Sequence, residues 1–136
     1  MSFVLDASVA GSWCLQDEAD PAIDALLAKT RKEGACAPPL WRWEVANLLL
    51  SAVRRGRMSE ANAIGHFGDL ALLPIAIDAD APGRAWRETF ALADAHALTV
   101  YDAAYLELAM RTGLSLATKD DDLRKAAQQV GVALLP

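Results

Sequence analysis

Short apolar segments alternate with longer amphipathic stretches along the whole chain. Extended segments are predicted at residues 3–5, 35–37, 74–77, 98–101, 114–117 and 132–135. Apolar side chains spaced three and four residues apart predict helices between most of them. Strands that are almost entirely apolar are typical of a parallel sheet covered on both faces. The sequence therefore predicts an α/β fold in which helices flank a central, mostly parallel, short-stranded sheet.

Two predicted helices group large apolar side chains on one face. In the helix from residue 40 to about residue 55, that face carries Trp41, Val45, Leu48, Leu49 and Ala52. In the helix that begins at Pro82, spacings of four, three and four residues group Trp86, Phe90, Ala93 and Ala97.

The length and charge of the chain narrow the class of protein. Its 136 residues are enough for one domain, taken as 1–136, and a hydrophobic fraction of 54% excludes a disordered chain. With 13 Lys and Arg against 18 Asp and Glu, the net charge of −5 excludes a histone-like binder of polyanions. Residues 1–8 have no basic leader, and the longest apolar stretch, 70–77, is too short to cross a membrane. A soluble cytoplasmic protein with no membrane segment is expected.

Three aspartates follow predicted extended segments at points where helices begin. Asp6 comes directly after residues 3–5, Asp102 directly after 98–101, and Asp120 shortly after 114–117. Because the carboxyl ends of parallel strands share one edge of a sheet, these side chains can converge. Each aspartate could instead be an ordinary helix cap, which is a common role for Asp at such a position.

Glu44 lies inside a predicted helix rather than at its start. Its neighbours four residues away, Leu40 and Leu48, are both apolar, and Asn47 lies beside it three residues further on. The Glu44 side chain therefore borders the buried face. It could belong to a functional site, or its stem could cover apolar surface while the carboxylate reaches water.

Convergence of Asp6, Glu44, Asp102 and Asp120 would place several negative charges in one pocket, which calls for a cation or for raised pKa values. The two histidines and two cysteines show no metal-binding spacing, so the ligands would be oxygen atoms. Such a set favours Mg²⁺ or Mn²⁺ over zinc or copper. These ions can activate water for hydrolysis of phosphodiester bonds. The sequence contains no P-loop, no dinucleotide-binding glycine motif and no GxSxG motif.

Four segments of the chain resemble the motif blocks of the PIN-domain family, and above all those of its VapC-type toxins. They are residues 3–8 (FVLDAS), 39–47 (PLWRWEVAN), 101–109 (YDAAYLELA) and 116–123 (LATKDDDL). The blocks occur in the expected order and at typical spacing, whereas residues 56–97 match only in pattern. The resemblance implies a three-layer α/β sandwich and a Mg²⁺- or Mn²⁺-dependent endoribonuclease. It also implies a homodimer that is inhibited by a VapB-like antitoxin protein.

The resemblance also assigns roles to individual residues. It implies that the four acids named above hold the metal and carry catalysis. Ser8, Asn47 and Thr118 match polar residues that orient the carboxylates or a water. For the last acid, Asp120 matches the motif best and Asp122 is the second choice. The alternative for Asp121 and Asp122 is a solvated helix start.

Basic and aromatic residues near the motif blocks are weaker candidates. Lys119 and Arg124 flank the last acid and are candidate phosphate contacts, although solvated surface positions would explain them equally well. Trp41 is expected in the core. Trp43 precedes Glu44 and is a candidate for a dimer or antitoxin surface, with base stacking as the less favoured role.

Two other functions are weighed against the ribonuclease. A catalytically silent PIN-like module would bind RNA or protein without cutting, but such a module would be expected to have lost at least one of the acids. A phosphate-accepting receiver domain would need a Lys after a later strand, and Lys119 occurs within its own acidic cluster instead.

Overall fold

The computed structural model describes residues 2–136. Its strands are β1 (Phe3–Leu5), β2 (Ala35–Ala37), β3 (Ile75–Ile77) and β4 (Ser115–Ala117). Its helices are α1 (Ala7–Trp13), α2 (Pro21–Glu33), α3 (Leu40–Arg54), α4 (Glu60–Ala71), α5 (Ala81–Arg84), α6 (Phe90–His96), α7 (Val100–Thr112) and α8 (Asp121–Gln129). A 3₁₀ turn covers Gln16–Glu18 and a π-helical segment covers Ala85–Thr89. Within residues 2–136, no helix is both long enough and apolar enough to cross a membrane.

All four strands are parallel and lie in the order β3-β2-β1-β4. Val4 of β1 is in register with Cys36 of β2 on one side and with Leu116 of β4 on the other. The chain progresses from β1 to β2 and β3, then returns to place β4 on the opposite side of β1. The predicted α/β fold with a parallel, helix-flanked sheet is confirmed. The carboxyl ends of β1 and β4 meet at the reversal of strand order, where crevices form in such sheets.

The core lies between the sheet and its flanking helices. Every residue of β1 and β2 is buried, and so is the whole of 103–109 in α7. A helix enclosed on nearly all sides must be apolar over most of its surface, as α7 is. Tyr105 of this helix is among the largest fully buried side chains. Because α7 contacts β1, β4, α6 and α8, side chains at its first turns are held rigidly against the end of the sheet.

The predicted extended segment at residues 98–101 is wrong. Thr99 caps α7 by accepting a hydrogen bond from the Asp102 backbone N–H at 3.0 Å, so Val100 and Tyr101 are already helical. Threonine is a favoured N-cap residue, because its hydroxyl accepts from a free amide of the first turn, here the one three residues further on. Asp102 therefore lies within the first turn of a helix rather than at the end of a strand.

The predicted last strand at residues 132–135 is also not formed as a strand. It makes an isolated bridge between Leu134 and Leu116 of β4. Leu116 N–H donates to Ala133 O at 2.8 Å, and Leu135 N–H donates to Leu116 O at 2.9 Å. The segment thus covers part of the outer edge of β4 without extending the sheet.

The apolar residues predicted on one face after Pro82 do not share a buried face. Ala93 is buried, but Trp86 is 97% exposed and Phe90 is 60% exposed. The π-helical segment Ala85–Thr89 interrupts the regular periodicity, so spacing alone does not identify the buried side. In α3, by contrast, Trp41 is buried as expected.

A buried ion cluster ties α7 to the end of β3. The Arg111 guanidinium bonds to Glu107 at 2.7 Å and to Asp78 at 2.6 Å, and Glu107 is 4% exposed. The hydrogen bond from Arg111 holds the pKa of Asp78 below its ordinary value. The contribution of Asp78 to stability is therefore present at neutral pH and is lost as the pH falls through that lowered pKa.

Replacing Arg111 should be costly, because it would leave the Glu107 carboxylate buried without its close partner. We expect Arg111→Met to lower the free energy of unfolding by about 3 kcal/mol at pH 7, measured by urea denaturation. Arg84→Met is the matched control, since Arg84 is more exposed and approaches Glu107 only to 3.9 Å. That control should lose less than about 1 kcal/mol. Equal losses of stability in the two variants would contradict the conclusion that Arg111 is the main partner of the Glu107 carboxylate.

Candidate active site

A cleft of about 390 Å³ opens where the carboxyl ends of β1 and β4 face α3 and α7. All four predicted acids line it, together with Ser8 and Asn47. The full lining is Asp6, Ala7, Ser8, Leu40, Trp43, Glu44, Asn47, Leu48, Tyr101, Asp102 and Asp120. The sequence blocks that carry these residues are far apart in the chain, and the parallel sheet brings them together.

Asp6 is the most deeply buried of the four acids that line the cleft, with 5% of its surface exposed. Its Oδ2 accepts hydrogen bonds from the Ser8 hydroxyl at 2.6 Å and from the Thr118 hydroxyl at 2.7 Å. The side chain does not cap α1, which it precedes. The alternative role as a helix cap is therefore wrong for Asp6. The two hydroxyls hold its carboxylate in one orientation at the floor of the cleft.

The loop after β4 is joined to the same hydroxyls. Thr118 accepts a hydrogen bond from the Asp120 backbone N–H at 3.1 Å, while Ser8 accepts one from the Lys119 backbone N–H at 3.0 Å. Each hydroxyl thus donates to Asp6 and accepts from this loop. The result is a fixed spacing between the ends of β1 and β4.

Asp120 has two roles, because it lines the cleft and also caps α8. Its Oδ1 accepts from the backbone N–H groups of Asp122 at 2.9 Å and Leu123 at 3.4 Å. Asp121 and Asp122 are exposed and do not line the cleft. The geometry thus favours Asp120 over the second choice, Asp122, as the last acid of the cluster.

Tyr105 is a site residue that the sequence reasoning did not single out. Its hydroxyl, on a fully buried side chain, donates to Glu44 Oε1 at 2.6 Å. Burial raises the pKa of Tyr105, so this hydroxyl stays protonated and remains a donor. The available signal was its position three residues after Asp102, which puts both side chains on one face of α7.

The upper walls of the cleft are apolar and aromatic. Trp43 is 72% exposed and Tyr101 is 65% exposed, and both contribute to the lining. Leu48, which the helical pattern groups with core residues, lies here instead. The cleft therefore combines an acidic floor with two accessible rings.

The two candidate phosphate contacts are not brought to this cleft. Lys119 Nζ lies 2.7 Å from Ser12 Oγ and 3.0 Å from Glu18 Oε1. Arg124 Nη1 donates to Thr118 O at 2.9 Å and to Leu135 O at 3.2 Å. Both cations bond to protein groups beside the cleft, so their geometry does not support a phosphate contact.

The electrostatics of the cleft are unbalanced. Among residues 2–136, no Lys, Arg or His contributes to its lining. Burial raises the pKa of Asp6, with a contribution from the charge of Asp120, although the Ser8 and Thr118 hydroxyls act in the opposite direction. Burial and the charges of Asp120, Asp6 and Glu44 raise the pKa of Asp102 to about 6. Burial also raises the pKa of Glu44, although the Tyr105 hydroxyl opposes the change.

The donor set suits a hard divalent cation. It consists of carboxylate oxygens supported by hydroxyl and amide groups, without thiolate or imidazole. Within the described residues 2–136, no three acidic, thiol or imidazole side chains are close enough to bind one metal ion directly. Mg²⁺ does not require this, because it is usually held by one or two carboxylates and keeps several waters.

Comparisons with known proteins give matches over most of the chain. Residues 3–129 match the model of the PIN domain family. The chain is 31% identical over 123 residues to Ribonuclease VapC3 of Pyrobaculum aerophilum, which covers 90% of this chain and 92% of that protein. It is also similar to the crystal structure of PAE2754 from Pyrobaculum aerophilum. That match has a TM-score of 0.72 and 25% identity, and it covers 99% of this chain and 91% of the other.

The raised pKa of Asp102 has a consequence for stability. An Asp that holds its proton more tightly in the folded state makes the fold less stable as the pH rises from about 4 to about 6. We expect Asp102→Asn to raise the free energy of unfolding by about 1 kcal/mol at pH 7 without divalent cations, and to give no gain at about pH 4. Urea denaturation at both pH values measures this.

Asp94→Asn is the matched control, because Asp94 is exposed on α6 and lies outside the cleft. It should leave stability unchanged at both pH values. Equal stability of Asp102→Asn and the unmodified protein at pH 7 would contradict the raised pKa of Asp102, whether burial or the neighbouring charges cause it.

Proposed function

This chain belongs to the PIN-domain family, in its VapC-type branch, and we propose on that basis that it is a metal-dependent endoribonuclease. It hydrolyses RNA phosphodiester bonds as the toxin of a toxin–antitoxin pair. One observation carries the proposal: four carboxylates line a single cleft at the switch point of a parallel sheet, and no basic side chain of residues 2–136 lines it with them. Keeping these charges together favours a bound cation, and an acidic floor with such a cation suits a phosphodiester substrate.

In this proposal, Asp6, Glu44, Asp102 and Asp120 form the site of a Mg²⁺ or Mn²⁺ ion. One or two of these carboxylates would bind the ion directly, and the others would act through its bound waters. The ion, when bound, activates water and stabilises the leaving oxygen. The protein's own side chains hold these carboxylates in position. Ser8 and Thr118 fix the Asp6 carboxylate, which supports their auxiliary role.

Two further side chains complete the proposed machinery. Tyr105 donates to Glu44 and keeps that carboxylate directed into the cleft. Asn47 lies on the cleft lining, one turn of α3 beyond Glu44, where its amide can orient a water or a substrate oxygen.

Trp43 and Tyr101 favour RNA with unpaired bases as the substrate. Exposed rings beside a phosphate-cleaving centre can stack on bases that are splayed out of a helix. Both rings line the cleft and are largely accessible. Base stacking by Trp43, the less favoured role from sequence, is therefore the one that we carry forward.

The proposed partners are a VapB-like antitoxin and a second copy of the chain. The name of the VapC3 relative supports a toxin of this type. Large apolar side chains are exposed on α4 (Ile64), just after it (Leu72) and on the π-helical segment (Trp86), and they are consistent with protein partners. We propose that the protein acts in the cytoplasm and that residues 1–136 form one domain.

The direct test is cleavage of a mixed RNA pool by purified protein free of any antitoxin. We expect cutting with Mg²⁺ or Mn²⁺ and none with chelator. Asp102→Asn and Asp120→Asn should each lower the rate of RNA cleavage by at least about 100-fold, because they remove negative charge from the proposed metal site. Mapping the new RNA ends identifies the sequence and structure that are cut.

Asp121→Asn and Asp122→Asn are the matched controls in the same acidic run, and both should retain most of the activity. Metal binding without cutting of any RNA would favour the alternative, a catalytically silent PIN-like module. Cutting that survives in Asp102→Asn would reject the proposed site.

The role of Trp43 is tested against a second exposed tryptophan. We expect Trp43→Ala to raise the KM for RNA by about tenfold, as loss of one stacked base would do. Trp86→Ala removes a ring that is 97% exposed but lies outside the cleft, and it should leave the KM unchanged. Gel-based initial rates with a single-stranded oligonucleotide measure both, and equal KM values in the two variants would argue against stacking on Trp43.

A further inference from the structure

Glu18 lies at the centre of an ion network behind the acidic cleft. Its Oε1 lies 3.0 Å from Lys119 Nζ, and its Oε2 lies 2.9 Å from Arg57 Nη2. Ser12 of α1 joins the network, with its Oγ 3.0 Å from Glu18 Oε1 and 2.7 Å from Lys119 Nζ. The carboxylate thus connects the 3₁₀ turn Gln16–Glu18 with α1, with the turn after α3 and with the loop after β4.

The network is connected to the cleft by the side chain and the backbone of Lys119. The Lys119 side chain is held by Glu18 and Ser12, while the Lys119 backbone N–H donates to Ser8 Oγ at 3.0 Å. Ser8 in turn donates to Asp6 Oδ2. Lys119 also lies between Thr118, which donates to Asp6, and Asp120, which lines the cleft.

We propose that Glu18 is a positioning residue for the cleft, which acts by holding Lys119 and so fixing the loop that carries Thr118 and Asp120. This inference rests on the proposed ribonuclease function for its catalytic meaning. The ammonium group of Lys119 is thereby a structural anchor, not a contact to the RNA backbone.

The charges of the network support this assignment. Burial raises the pKa of Glu18, but hydrogen bonds from Lys119, Arg57 and Ser12 outweigh that effect and lower it below the ordinary value. Glu18 therefore remains a carboxylate with a cation on each oxygen. The side chains are partly exposed, so the pairs add little to global stability. Their main effect is on local geometry, and variants should fold.

The experiment is a double-mutant cycle with Glu18→Gln and Lys119→Met. Each single variant should lower kcat for RNA cleavage by about tenfold with little change in KM, as loss of an outer partner of a metal site does. The double variant should be no worse than either single variant, because both break the same contact. Lys119→Arg should recover most of the activity.

Asp17→Asn is the matched control. Asp17 is the neighbouring acid that bonds to Arg57 at 2.8 Å but not to Lys119, so this variant should behave as the unmodified protein. Hydrogen exchange gives a second readout that does not depend on activity. The amides of Lys119 and Asp120 should exchange faster in Glu18→Gln and unchanged in Asp17→Asn.

Two results would overturn the inference. One is a Lys119→Met variant with a raised KM and a reduced salt dependence of RNA binding while Glu18→Gln keeps its kcat, which would make Lys119 a phosphate contact. The other is unchanged exchange of both amides in Glu18→Gln. If the unmodified protein cuts no RNA, the proposed function fails, and the amide exchange still decides whether Glu18 fixes the loop.

Discussion

The buried carboxylate of Asp6 is the constraint on which the rest of the site depends. An ionised group at this depth is stable only if other groups satisfy its oxygens. The Ser8 and Thr118 hydroxyls, from two different segments, both donate to Asp6 Oδ2, and each accepts an amide hydrogen from the loop after β4. One acid at the end of β1 thereby determines the path of the chain after β4.

The opposite wall depends on α7 in a similar way. This helix is buried over residues 103–109, so its first turn has little freedom. Asp102 and Tyr105 share one face of it. Tyr105 reaches across to Glu44 on α3, and the bond links two helices that are separated by about sixty residues of sequence. The acidic cleft is therefore built from a rigid sheet edge and a rigid helix, which is how a site of like charges can persist.

The distribution of cations explains why the cleft remains acidic. Three basic side chains are bonded to other groups of the protein: Lys119 to Glu18, Arg124 to backbone carbonyls, and Arg111 to Asp78 and Glu107. Among residues 2–136, no Lys, Arg or His lines the cleft and balances the charge of its acids. An acidic cleft of this kind suits a divalent cation, as the proposed ribonuclease function requires.

The sequence by itself determined most of the alternation of strands and helices and the parallel sheet, because apolar runs and helix caps are local properties. It also named four acids that the structure brings to one cleft. It placed Asp6, Glu44 and Asp120 correctly with respect to their elements. It did not reveal that Thr99 starts α7. The residue types at 98–101 fit an extended segment as well as a helix start, and the hydrogen bond to the Thr99 hydroxyl distinguishes the two.

Only the tertiary structure decided which polar groups meet. The bond from Tyr105 to Glu44, the two hydroxyls on Asp6 and the retention of Lys119 by Glu18 each join residues from separate elements. Asp6 and Asp120 follow similar strands, yet one binds hydroxyls and the other caps a helix. Which side chains become hydrogen-bond partners depends on distances across the fold, and local sequence patterns do not specify those distances.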